Sequence, residues 1–232
     1  MVEVLAWVRL AVTACLLAVP AAEVFAADCS ETPTAGVDWT DCSKKNLMLE
    51  DNDFSKAQLQ STDLTLTNLS RTDLKGANLE KATLIRAWLT NAVADGANFS
   101  KIEAYRAGFE HISAKGASFV GAELQRANFK NADLEHANFA KAELSRVDFT
   151  GATLTDVDFS LTNLSRANLA AAVVSGKLTF SKAFMYLTHI EGMDLSSAIG
   201  IEQGQIDLAC GDKATKLPPG LSASKNWPCD LN

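Results

Sequence analysis

Residues 117–146 read ASFVG-AELQR-ANFKN-ADLEH-ANFAK-AELSR, six successive pentapeptides, each with Leu or Phe at its centre. The same spacing runs from Leu49 to Val174, giving 26 repeats without an insertion. Leu or Phe fills 22 of those centres, the exceptions being Ala94, Ala104, Ala114 and Val174. Two residues before the centre, Ala stands in sixteen of the 26. A period of five suits no straight element. On an α-helix, five residues advance about 500°, which smears the centres around the cylinder. On a strand, an odd period sends successive centres to opposite faces. A chain that turns about a right angle after every fifth residue instead points each central side chain at one axis. Four repeats then close a coil, and coils stacked at about 4.8 Å build a solenoid of about 6.5 turns and about 31 Å.

The phenylalanines support that geometry. Phe99, Phe109, Phe119, Phe129, Phe139, Phe149 and Phe159 recur every half coil, so they stack on two opposing walls. Leu124, Leu134, Leu144 and Leu154 take the other two walls, and Ala94, Ala104 and Ala114 stand there where the Phe series begins. Large residues facing large, with small ones between, keep a narrow interior at constant packed volume. Ala before each centre is expected to point inward at the corner, where little room remains.

The motif resembles that of the pentapeptide repeat family, A(D/N)LXX. The likeness is clean from Leu47 to Val174 and continues with lapses to Leu195. It implies an all-β solenoid, a right-handed quadrilateral parallel β-helix. Lys177 and Lys182 fall where small residues belong, so the last coils are expected to be irregular. The likeness is specific for fold and nearly silent on function, because the family's roles are diverse.

The termini carry different signals. Residues 1–26 read as a signal peptide: Arg9, the apolar run Leu10–Val19, Pro20, then Val24-Phe25-Ala26, with cleavage expected after Ala26. That run is too short to span a bilayer, which needs about 20 helical residues. A rival reading takes Val12-Thr13-Ala14-Cys15 as a lipoprotein box, although Arg9 leaves almost no apolar segment ahead of the cysteine. Beyond the leader lie Cys29, Cys42, Cys210 and Cys229. An even number of cysteines in an exported chain suggests disulfides. Three connectivities exist, and the grouping into two local pairs favours Cys29–Cys42 and Cys210–Cys229. Residues 27–46 are expected to cap the first coil and 47–199 to form the solenoid. Residues 200–232 are expected to cap its other end, with a short helix over Ile201–Ala209 that stops at Gly211. The tail, with Leu217-Pro218-Pro219-Gly220 and Trp227-Pro228-Cys229, resembles one found on exported members of the same family.

The function classes narrow by charge and by missing motifs. With 21 Lys+Arg against 28 Asp+Glu the chain carries −7, a poor footprint for wrapping duplex DNA. Stacking makes residues 20 apart vertical neighbours. Arg86, Arg106, Arg126, Arg146 and Arg166 therefore form a column, with Glu103, Glu123 and Glu143 each three residues before an arginine. The column reads either as a basic stripe for an anionic polymer or as interleaved, self-neutralising ladders. Ile85, Arg86, Trp88, Tyr105 and Arg106 are a candidate partner patch. His111, His136 and His189 share no column, and Asp or Asn before each centre belongs to the repeat. No nucleotide-binding signature is present, and the sequence points to no catalytic group, cofactor or metal. The sequons at Asn68, Asn98 and Asn163 arise automatically from the repeat. The leading expectation is an exported, non-enzymatic scaffold, periplasmic or extracellular, with a protein partner, no nucleic acid and no membrane span. Two alternatives come from other classes: a DNA-mimicking, gyrase-interacting protein, and a glycan-binding or glycan-degrading β-helix.

Overall fold

The computed structural model describes residues 27–229. The expected signal peptide, its cleavage site and Cys15 lie outside that range. The chain winds into a four-sided coil held by parallel bridges between residues 20 apart, such as Asp38 to Gln58, Ser43 to Asp63, Met48 to Asn68 and Asp53 to Asp73. These four pairs start the four faces, numbered here first to fourth in that order. The first face continues through Asn98, Asn138 and Asp158 to Ile199, eight coil-to-coil steps, or roughly 38 Å at about 4.8 Å each.

The bridges are isolated residues rather than continuous strands, because each straight segment turns again before a second ladder pair can form. Around Leu124 the bonding is typical. Its N–H donates to the Glu143 carbonyl at 3.0 Å, Glu123 N–H reaches back to Ile102 at 2.8 Å, and Arg126 N–H donates to Ser145 at 2.9 Å. Ala127 N–H closes the corner on the Leu124 carbonyl at 2.8 Å. Two residues after each centre the backbone turns through positive φ, as at Arg126 (φ 61°) and His136 (φ 58°). A left-handed L-residue costs about 1–2 kcal/mol; at most of these corners the N–H gains an inter-coil bond, Asp156, Ala171 and Lys182 being the exceptions. Gly takes this corner at Gly96 and Gly116 with no Cβ to strain.

The Asp or Asn before the centre has a structural task. Its side-chain oxygen accepts the N–H two residues on, for example Asp53 from Ser55 at 2.8 Å and Asn138 from Ala140 at 2.8 Å. This Asx bond holds the turn after each inward residue.

The core is a solid column. Phe99, Phe119, Phe139, Phe159 and Phe180 stack on the first wall at 4.7–5.5 Å, and Phe109, Phe129 and Phe149 stack on the third at 4.5–5.3 Å. Rings from the two walls meet edge to face across the axis at 5.6–6.2 Å. The position two before the centre is buried throughout the middle coils, as expected, but it holds more than Ala. Ile102 and Ile112 are fully buried there, each followed by a small centre, Ala104 or Ala114. Bulk has moved two residues along the chain while the volume per repeat is kept. Thr62 and Thr67 also point inward, their hydroxyls donating to the Trp39 carbonyl at 2.7 Å and the Lys44 carbonyl at 2.6 Å.

Two expected boundaries shift. The ladder begins at Asp38, not at Leu47, and Leu47 and Met48 are exposed. Trp39 and Lys44 already stand at inward positions, with Val37 and Cys42 two before them. At the other end, the bridge from Asp158 runs to Thr179, a step of 21 residues. One extra residue after Val174 moves the frame, so the centres become Phe180, Met185, Ile190 and Leu195. Lys177 and Lys182 consequently face solvent, and the coils continue in the new register. Segments expected to be cap also join the stack, through His189 to Cys210 and Asp194 to Lys216.

Both ends are closed. At the start, Lys44 Nζ lies 3.6 Å from the Trp39 ring centroid and donates to the Cys29 carbonyl at 2.7 Å, and Trp39 Nε1 donates to the Glu31 carbonyl at 3.2 Å. Burial pushes the Lys44 ammonium below the usual lysine range, against the pull of Asp28. At the far end sits helix α1 (Gln203–Leu208). The pairs Cys29–Cys42 and Cys210–Cys229 are bonded, with Cα atoms 5.6 and 5.3 Å apart. No helix among the described residues is long and apolar enough to cross a membrane.

Candidate functional site

Because the interior is filled, any site must lie on the outer columns or at the ends. The five patch residues sit at one corner of two adjacent coils. Ile85 and Tyr105 stand beside the corner arginines Arg86 and Arg106, and Trp88 stands on the third face. Tyr105 is 37% and Trp88 47% exposed. The Arg106 guanidinium lies 5.2 Å from the Tyr105 ring centroid. Trp88 leans over Gly108 of the next coil, so that a Cβ there would be 3.7 Å from its ring, and Glu110 closes the other side. A Cβ at Gly108 would meet the indole in ordinary contact, and the tight neighbour there is Glu110 Oε2, at 2.7 Å. The patch is thus assembled from a cation–aromatic pair and an indole seated on a glycine.

The arginine column departs from the self-neutralising reading. Arg71 forms a two-pronged pair with Asp51, with contacts of 2.6 and 2.7 Å. Arg86, Arg106, Arg126, Arg146 and Arg166 have no ion pair and no side-chain hydrogen bond among the described residues, although Glu103, Glu123 and Glu143 stand on the same coils. All five occupy positive-φ corners and are exposed. Each glutamate stands on the second face, separated from its arginine by one inward and one outward residue, and within one chain the two columns make no ion pair.

Among the described residues the three histidines stand apart. His111 and His136 take different corners, and His189 lies on the third face with Nδ1 2.8 Å from Glu191. The described residues hold no cluster of three His, Cys, Asp or Glu that could bind a metal. The C-terminal cap has an open depression of about 480 Å³ beside Asp212, Ala223, Trp227 and Pro228. The Asp212 carboxylate is already committed. It accepts the N–H of Gly192 at 3.0 Å and of Thr215 at 2.9 Å, with the Thr215 hydroxyl at 2.9 Å, and these bonds hold it below the usual carboxylate range. At the sequons the Oδ1 atoms of Asn68, Asn98 and Asn163 make the Asx bond of the repeat, accepting the N–H of Ser70, Ser100 and Ser165 at 3.0–3.1 Å.

Twenty-residue parallel register with buried Leu or Phe centres is the geometry that the repeat demands, and family comparison agrees. The family model described as pentapeptide repeats (8 copies) matches residues 53–91, and that described as pentapeptide repeat region matches 82–159. Residues 53–159 are a pentapeptide repeat region. Among solved structures, the chain is similar to HetL, involved in heterocyst differentiation regulation in the cyanobacterium Nostoc sp. strain PCC 7120. That match has 23% identity over 83% of this chain and 87% of that one, with a TM-score of 0.38. It is also similar to QnrB1, a plasmid-mediated fluoroquinolone resistance protein, at 16% identity over 78% and 91% with a TM-score of 0.41. A third similar structure is a pentapeptide repeat protein from the Arabidopsis thaliana thylakoid lumen, at 25% identity over 48% and 68% with a TM-score of 0.30. No curated protein sequence matches.

Sequence reasoning missed three features, one buried and two on the surface. Lys44 is hidden because a lysine breaks the centre pattern. Phe184 and Tyr186, exposed and stacked at 6.4 Å, fall in the shifted register. The seat of Trp88 on Gly108 was legible in principle, since the two are 20 residues apart.

Proposed function

We propose that this protein is an exported, non-enzymatic binding scaffold, a right-handed quadrilateral β-helix working in the periplasm or outside the cell. The single observation that carries the reading is the solid Leu/Phe column. It leaves no interior cleft for a substrate and puts every variable side chain on an outer column. Two disulfides suit an oxidising compartment. The handedness is what the likeness of residues 53–159 to pentapeptide repeats implies.

The patch of Ile85, Arg86, Trp88, Tyr105 and Arg106 is the surface we assign to a protein partner. Exposed aromatic and arginine side chains are the residue types that dominate contact energies. A free arginine column is the opposite of the acidic exterior a DNA mimic needs, which weighs against the gyrase alternative. The test is cell fractionation followed by crosslinking in the native host, then capture with wild-type protein and with Trp88→Ala/Tyr105→Ala. The double variant is expected to lose the crosslinked partner at unchanged thermal stability. Retention of every partner would remove the patch, and a cytoplasmic location would remove the exported scaffold.

A further inference from the structure

The unpaired arginines raise the question of what meets them. A ligand that engages all five must repeat its negative charge at the coil spacing, about 4.8 Å. Successive phosphates on a nucleic acid strand advance about 3.4 Å along the helix. Same-side residues of an extended acidic peptide are two apart, about 6.6 Å. Neither keeps register over five rungs. A ladder of the required pitch exists on this molecule: Glu103, Glu123 and Glu143, bridged to one another on the second face. All three are exposed, and each shares its coil with one of the free arginines, Arg106, Arg126 or Arg146.

We propose that the second face self-associates, two copies lying side by side and parallel about a two-fold axis along the solenoid between the glutamate and arginine columns. That operation keeps height and exchanges the columns. Each glutamate then meets the partner copy's arginine of its own coil, and each arginine meets a glutamate, giving six pairs over three coils. Such a contact is isologous, as a two-fold requires.

The levels above and below fit the same operation. Arg86 meets Thr83, and Arg166 meets Asn163, with no like charges opposed. One coil higher, the glutamate column is continued by Phe184 and the arginine column by Leu187. Phe184 is 51% exposed, so where the charges stop an apolar residue faces an apolar one. Tyr105 lies near the axis. One solenoid face is smaller than the roughly 800 Å² per partner of a standard interface, so the dimer is expected to be reversible and concentration-dependent.

The proposal rests on the fold and its columns, not on the scaffold reading. The dimer covers Ile85, Arg86, Tyr105 and Arg106, while Trp88 stays free on the adjacent face; a protein partner and a second copy thus compete for most of the patch.

Sedimentation of the purified protein, disulfides formed, tests this across a concentration series at low and high salt. A monomer–dimer equilibrium weakened by salt is expected. Arg126→Glu and Glu123→Arg should each weaken dimerisation by about tenfold or more, since each reversal opposes like charges twice across the axis. Combining them in one chain restores complementarity, and the double variant should return to within about threefold of wild type. Trp88→Ala should leave the equilibrium unchanged, which separates this test from that of the partner patch. Circular dichroism melts confirm that each variant is folded. A monomer at every concentration, or a dimer indifferent to the single reversals, would overturn the proposal. So would single reversals that the double variant does not rescue. Capture of an anionic polysaccharide by a monomer, lost in Arg126→Glu and not regained in the double variant, would give the column to a polyanion instead.

Discussion

In two repeats the centre and the residue two before it trade volume, whereas Ala92 and Ala94 are both small and both buried. Where the centre is Leu or Phe, the residue two before it is usually Ala; where Ala104 and Ala114 take the centre, Ile102 and Ile112 supply the bulk. Ala104→Leu alone should therefore overpack its coil by about 1–3 kcal/mol. Adding Ile102→Ala should recover most of that loss in urea melts, whereas no recovery would break the shared-volume argument. Leu134→Ala removes a fully buried centre with no second bulky residue to relax into its place, and should cost about 2–5 kcal/mol. The sequence displayed this pattern from Leu49 to Val174 because every repeat has the same length. It concealed the first inward residues, Trp39 and Lys44, because they share no residue type with later centres. It concealed the last ones too, because a single inserted residue moved the frame. The missing Arg–Glu pairs could not be read from spacing at all: whether neighbouring columns touch depends on how side chains leave a positive-φ corner.

Helix α1 and the two disulfides act as lids on an open stack. At six residues, α1 is too short to persist alone, since isolated helices below about 12 residues are marginal. Tertiary contacts hold it. Ile206 is fully buried, and the Gln205 side-chain amide donates to the carbonyls of Phe180 at 2.8 Å and Ala183 at 2.9 Å. Its oxygen accepts the Glu202 N–H at 2.7 Å, completing a capping box. Gln205→Ala would leave the Ala183 carbonyl unpaired under the lid, while the Phe180 carbonyl keeps the Ala183 N–H at 3.0 Å, and should lower stability by about 1–3 kcal/mol. The loss should register first as faster hydrogen exchange at 203–209. The tail fastens the lid from outside: Trp227 Nε1 donates to the Ala209 carbonyl at 2.7 Å, and its ring presses so closely on Gly211 that a Cβ there would sit 2.5 Å away. Cys210→Ser/Cys229→Ser should remove about 3 kcal/mol by the chain-entropy measure for a loop of this length, with unchanged protection in the central coils.

A solenoid touches only its nearest neighbours along the stack, so its stability is distributed by coil and its weakest regions are its ends. Charge sharpens that contrast. Among the described residues, nine carboxylates are held below their usual range: Asp28, Asp38, Asp51, Asp53, Asp63, Glu80, Asp148, Asp194 and Asp212. Five fall in the first two coils and the turn before them, two fall at the C-terminal end, and only Glu80 and Asp148 lie between. The causes are bonds to the charged form. Asp51 is held by Arg71, and Asp194 by Lys216 and then Ser196, which bring Asp194 to about 2. For Asp63 and Asp148 burial pulls upward first, and hydrogen bonds from Lys45 with Thr65, and from Thr150 with Lys130, outweigh it. A carboxyl depressed in the folded state contributes stability that is complete above its unfolded pKa and lost as pH falls toward the folded one. For Asp194 that window runs from 3.8 down to about 2. Acid should accordingly loosen the two ends before the middle. Hydrogen exchange near pH 3, against a reference near pH 6, should show protection falling first in 28–63 and 192–216 while 98–140, stacked on its phenylalanines, stays closed. A uniform loss along the chain would mean that the ends are not the acid-labile part, and that the coils unfold as one unit.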